Sequence, residues 1–91
     1  MKLKFELRDY DARLLDEYEG EETDKKIERD IEGFNDFVRA IKDADYDIED
    51  IDIYKYELNN LTEAQFYLMI AALDVLQEEF DICSIGWNEG E

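Results

Sequence analysis

Residues 47–66, DIEDIDIYKYELNNLTEAQF, hold the two local signals on which the fold turns. Ile51, Ile53, Tyr54, Tyr56 and Leu58 form a β-branched and aromatic run with side chains for both faces. This is the pattern of a strand in the middle of a sheet, and it predicts one strand over 50–58 that ends at Asn59 and Asn60. Thr62 followed three residues later by Gln65 is a capping box, and Leu61 and Phe66 have the N′ to N4 spacing of a hydrophobic staple, so a helix starts here.

Downstream, Ala64, Phe66, Tyr67, Leu68, Met69, Ile70, Ala71, Ala72, Leu73, Val75 and Leu76 leave this helix, 62–79, almost no polar face. It is expected either to be buried on nearly all sides or to pack against another chain. A short strand over 82–87 puts Cys83, Ile85 and Trp87 on one side, and 88–91 reads as a polar tail.

Upstream, Ile27, Ile31, Phe34, Val38 and Ile41 follow one another in steps of 4, 3, 4 and 3, one stripe on a helix over 23–44 with Thr23 as N-cap. At the start of the chain Leu3, Phe5 and Leu7 alternate with Lys2, Lys4, Glu6 and Arg8, the period-2 pattern of a half-buried strand over 2–8. Leu14, Leu15 and Tyr18 suit either a short helix or the return strand of a hairpin, and 9–22 stays open. The order strand, helix, strand, helix, strand predicts a small two-layer α+β domain spanning 1–91, with right-handed connections wherever strands are parallel.

Composition bounds the function. The formal net charge is −17, which repels nucleic acid and anionic membrane and attracts basic partners. Leu, Ile, Val and Phe make up 25 of 91 residues, above the roughly 20% that marks disordered chains, so a folded core is expected. Histidine is absent, which removes the usual general base and the commonest transition-metal ligand. Gly20, Gly33, Gly86 and Gly90 are scattered rather than gathered into a phosphate loop. Cys83 is the single cysteine and reads as a core thiol. The chain is therefore expected not to be an enzyme and to use no cofactor or metal. No apolar run nears the roughly 18 residues of a membrane span and no signal-peptide core stands at the N-terminus, so a cytoplasmic protein is expected.

The acids are unevenly placed: residues 1–42 hold 13 acids and 9 bases, while 43–91 hold 14 acids and only Lys55. The densest part is Asp43, Asp45, Asp47, Glu49, Asp50 and Asp52, with Tyr46 inside it. If the segment is extended, Asp43, Asp45, Asp47 and Glu49 lie about 6.6 Å apart on one side, a row of carboxylates like one strand of a phosphate backbone. Tyr46 is expected to be exposed, where its ring can anchor a contact to Arg or Lys. A second row, Asp24, Glu28, Glu32 and Asp36, follows at i, i+4 along the first helix, diluted by Lys25, Lys26, Arg29 and Arg39. The plainer reading of both rows is a solvated surface. Asp43, Asp45 and Asp47 also match the first ligands of an EF-hand loop, but its sixth and twelfth positions are Ile48 and Tyr54 instead of Gly and Glu.

In size, charge, lack of histidine and the 43–52 cluster, the chain resembles the small acidic DNA-mimic inhibitors of bacteriophages and mobile elements: anti-restriction, anti-CRISPR, glycosylase-inhibitor and nucleoid-protein-inhibitor types. The resemblance is one of class, without a shared motif. It implies a non-enzymatic inhibitor whose carboxylates stand in for phosphates on a basic DNA-binding protein: a nucleoid protein, CRISPR effector, restriction enzyme or polymerase. Such a protein contacts neither nucleic acid nor membrane directly and, if phage-encoded, acts in the host bacterial cytoplasm. Asp43, Asp45, Tyr46, Asp47, Glu49, Asp50 and Asp52 are then the main face. The alternative is an adaptor or structural subunit that dimerises or docks through 62–79, its acidity serving solubility.

Overall fold

A computed structural model describes residues 1–10 and 21–90. Among them the chain forms β1 (Leu3–Arg8), α1 (Glu21–Asp43), β2 (Asp47–Asp52), β3 (Lys55–Asn59), α2 (Glu63–Glu79) and β4 (Ser84–Glu89). The sheet order is β2-β3-β1-β4 and every neighbouring pair is antiparallel. The fold is a two-layer α+β domain in which β1 runs parallel to β2 with β3 between them, and β3 parallel to β4 with β1 between them, so α1 and α2 are the crossover connections of two split βαβ units. The open reading of 9–22 lies outside the described residues at 11–20, while residues 21 and 22 belong to α1.

β1 follows its alternation. Leu3, Phe5 and Leu7 are buried, and they join Ile27, Phe34, Val38 and Ile41 of α1 and Phe66, Met69 and Leu73 of α2 in one core. Phe5 is at its centre, edge-on to Phe34 (5.8 Å between ring centres) and Phe37 (6.1 Å) and stacked on Tyr56 (5.8 Å). Lys4, Glu6 and Arg8 point to the opposite, open face of the sheet. Gly86 lies beneath the Arg8 guanidinium there, and a β-carbon at this position would collide with it.

The single strand expected over 50–58 is a hairpin. β2 and β3 pair with Ile48 opposite Leu58 and Asp50 opposite Tyr56, and the chain reverses at Ile53 and Tyr54. Ile51 is the extra residue of a register shift between Asp50 and Asp52. Tyr54 takes a positive φ of 53°, unfavourable for an aromatic residue. Its surroundings hold it there: its carbonyl accepts the Leu7 N–H (2.9 Å), and its ring packs edge-on to Tyr10 (4.9 Å) and Phe34 (6.3 Å). β3 is thus interior, whereas β2 is an edge.

The helices differ from expectation at their ends and on one face. α1 begins at Glu21, which puts Thr23 inside the helix rather than at its cap. α2 starts as its capping box requires: Thr62 Oγ1 accepts the Gln65 N–H (3.1 Å) and Gln65 Oε1 accepts the Thr62 N–H (2.9 Å). Leu61 and Phe66 are both buried beneath that start. α2 is not buried on nearly all sides: Phe66, Met69 and Leu73 are buried, while Tyr67, Leu68 and Val75 are exposed. β4 runs two residues beyond the expected 82–87, because Asn88 and Glu89 pair with Lys4 and Leu3.

Candidate functional site

The acids of 43–52 gather around the β2 edge but do not form one row. Asp43 closes α1, and Asp45 turns the chain at a φ of 62°, a conformation that Asp tolerates better than most residues. Extended backbone begins only at Asp47, so of the expected row Asp47 and Glu49 alone share a strand face, about 6.6 Å apart. Their cross-strand partners Asn59 and Glu57 put them on the open side of the sheet. Asp50 lies opposite Tyr56 on the helix side, and Asp52 ends the strand. All six acids are exposed. The result is a ribbon of carboxylates on both sides of one edge.

Tyr46 departs from expectation. It is half-buried and packs against the core. Ile48 faces Leu58 and the core, and Tyr46, two residues earlier, is drawn to the same side. Its ring therefore anchors the β2 approach rather than standing free for a partner.

Lys55 is the cross-strand partner of Asp52, while other cations near this edge are engaged elsewhere. Lys42 lies over the Tyr56 ring, 5.8 Å from its centre. Lys2 and Lys4 both approach Glu57 (3.8 and 3.9 Å), and Arg8 pairs with Glu6 (2.9 Å). Among the described residues no ion pair uses an acid of 43–52; the side-chain hydrogen bonds there are Asn60 Nδ2 to Asp47 (2.7 Å) and the Ile53 N–H to Asp52 (2.8 Å). Glu49 stands directly opposite Glu57, a like-charge pair that disfavours the hairpin. Burial, then the Asp50 carboxylate and Tyr54, push the Tyr56 phenol above its usual pKa.

Asp24, Glu28, Glu32 and Asp36 are exposed on α1, and Asp36 pairs with Arg39 (3.0 Å) within the helix. This row is separate from the β2 edge and partly neutralised where it stands. Among the described residues no group of three or more His, Cys, Asp or Glu side chains is placed to hold a metal ion, and no helix is long and apolar enough to cross a membrane. The three EF-hand-like acids fall on a helix end, a turn and a strand.

Two polar groups that the sequence reading passed over sit at the other end of the molecule. Asp30 is 3% exposed and accepts the backbone N–H groups of Asp81 (3.1 Å), Ile82 (2.9 Å) and Cys83 (2.9 Å). Its signal was present: Asp30 falls on the apolar stripe of α1, three residues after Ile27 and four before Phe34. Gln77 donates to the Cys83 carbonyl (3.2 Å) and accepts the Ile85 N–H. Cys83 is buried beside them, and burial, with Asp30 and Asp9 adding, pushes its thiol up to about 12. It stays a thiol near neutral pH and is a poor nucleophile. The chain matches no protein-family model, no curated protein and no solved structure.

Proposed function

We propose that the chain is a non-enzymatic, cytoplasmic inhibitor whose acid-lined β2 edge occupies the basic nucleic-acid-binding surface of a host or defence DNA-binding protein. The observation that carries this reading is the set of six exposed carboxylates at one sheet edge with no ion-pair partner among the described residues. Charges without partners keep their full field for an incoming cationic surface, which steers association and adds close charge contacts once docked. Asp43, Asp45, Asp47, Glu49, Asp50 and Asp52 are the contact groups, with Asp24, Glu28, Glu32 and Asp36 contributing long-range attraction.

The test is capture of partners from bacterial lysate at low and high salt, followed by DNA competition with each purified partner. Binding should be strong at low salt and fall as screening shortens from about 30 Å at 0.01 M to about 10 Å at 0.1 M. Changing Asp45, Asp47, Glu49 and Asp50 together to Asn or Gln should weaken the complex by about 2–5 kcal/mol if these groups make close contacts. Changing Asp74, Glu78, Glu79 and Asp81, which lie at the end of α2 and in the turn leading to β4, removes equal charge on the side of the opposite sheet edge and should only slow association. Equal losses in the two variants, or a partner that still binds DNA when saturated with this protein, would refute the reading.

A further inference from the structure

α2 turns its second apolar face to solvent. Ala64, Tyr67, Leu68, Ala71 and Val75 are all exposed, at 60% for Tyr67, 64% for Leu68 and 59% for Val75. Ala64, Leu68, Ala71 and Val75 follow one another in steps of 4, 3 and 4, which places them on one helical stripe with Tyr67 beside Leu68. Their direction is opposite to that of Phe66, Met69 and Leu73, which the core already covers. Contiguous apolar surface of this kind marks a contact site more often than a scatter of single exposed residues does.

The charge on α2 says what kind of surface fits it. The helix carries Glu63, Asp74, Glu78 and Glu79 and no base. At 3.6 residues per turn, Glu63, Tyr67, Asp74 and Glu78 form one row bordering the stripe, and Glu79 closes its C-terminal end. We infer that this stripe is a docking site for an amphipathic helix of another protein whose apolar face is flanked by Lys or Arg. A second copy fits poorly. Two-fold pairing presents the same patch from both subunits, so an antiparallel helix pair sets the acidic border against itself, between chains of formal charge −17 each. An anionic bilayer is repelled by the same border. The C-terminal end of α2 lacks any basic residue to offset its dipole, and a cationic partner helix supplies that complement.

The probe is a synthetic helical peptide of Leu and Lys with Leu on one face, compared with a scrambled isomer of identical composition and charge. Both are titrated into the whole chain at 0.15 M salt and followed by amide chemical shifts. The patterned peptide should bind at least tenfold more tightly than the scrambled one and shift Tyr67, Leu68, Ala71 and Val75. Leu68→Gln with Val75→Gln, both at exposed positions and checked for folding by circular dichroism, should abolish the preference. Replacing Asp74 and Glu78 by Asn and Gln should reduce it several-fold. The β2 variant Asp45→Asn, Asp47→Asn, Glu49→Gln, Asp50→Asn should leave it unchanged, so the two faces succeed or fail separately. Equal affinity for both peptides, or shifts confined to 43–52, would show attraction by bulk charge alone and overturn the inference. Peptide-free self-association abolished by Leu68→Gln would overturn it in favour of a second copy.

Discussion

The two edges of the sheet are closed by opposite means. At β4, side chains from both helices grip the backbone: Asp30 takes three consecutive N–H groups just before the strand, and Gln77 binds the Cys83 carbonyl and the Ile85 N–H. At β2 the side-chain hydrogen bonds among the described residues are Asn60 to Asp47 and the Ile53 N–H to Asp52, and the edge carries a run of exposed carboxylates. Both devices deal with unpaired backbone, one by covering it and one by making approach costly for another strand. An acid is therefore not one kind of evidence in this chain. Asp30 is structural because it is buried and accepts three backbone N–H groups, whereas the acids of 43–52 stand exposed at the β2 edge.

The contrast is broken most severely at Asp30. Asp30→Ala leaves three N–H groups near the core without their acceptor and should cost about 3–5 kcal/mol in urea unfolding. A loss below about 1 kcal/mol would mean that the carboxylate does not hold β4. The next largest effect is alkaline. The folded Cys83 thiol titrates near 12 against an ordinary value near 9. Above pH 9 the unfolded chain therefore binds fewer protons than the folded one, and stability falls as pH rises, by up to about 1.4 kcal/mol per unit. Comparing the pH 8–11 stability profiles of the wild type and Cys83→Ala isolates this contribution: the variant should show the shallower decline.

Gln77→Ala should cost about 1–2 kcal/mol and raise amide exchange at Ile85, since it frees one donor and one acceptor in a half-buried place. Unchanged exchange at Ile85 would assign the β4 grip to Asp30 alone. The smallest effect is expected at the other edge. Asp45→Asn, Asp47→Asn, Glu49→Gln and Asp50→Asn together should leave stability within about 1 kcal/mol of wild type, on the stabilising side, because repulsion is relieved. The same variant should associate more readily at high concentration in light scattering, since the edge has lost its charged guard.

Much of the fold was legible from spacing. The alternation of Leu3, Phe5 and Leu7, the stripe from Ile27 to Ile41 and the Thr62 and Gln65 capping box each report a local geometry, and each appears where the pattern put it. The hairpin was hidden because Ile53 and Tyr54 carry no turn chemistry, neither Gly nor Asn nor Pro. Tyr54 keeps a strained φ through partners distant in sequence: the Leu7 N–H on its carbonyl and the Tyr10 and Phe34 rings against its own. Of the candidate site, the density of acids could be read directly; their distribution over a helix end, a turn and two strand faces could not.

The sequence by itself determined the charge, the absence of histidine, the class of the fold and the start of α2, since these depend on composition or on residues within a turn of one another. Only the tertiary structure decided that β2 is an edge, that Tyr46 turns inward, that Asp30 is bonded and that one face of α2 is left bare. Those four depend on which segments meet across the sheet and between the layers. Burial and hydrogen bonding between residues far apart in the chain decided them against the local propensities of Tyr46, Asp30 and Tyr54.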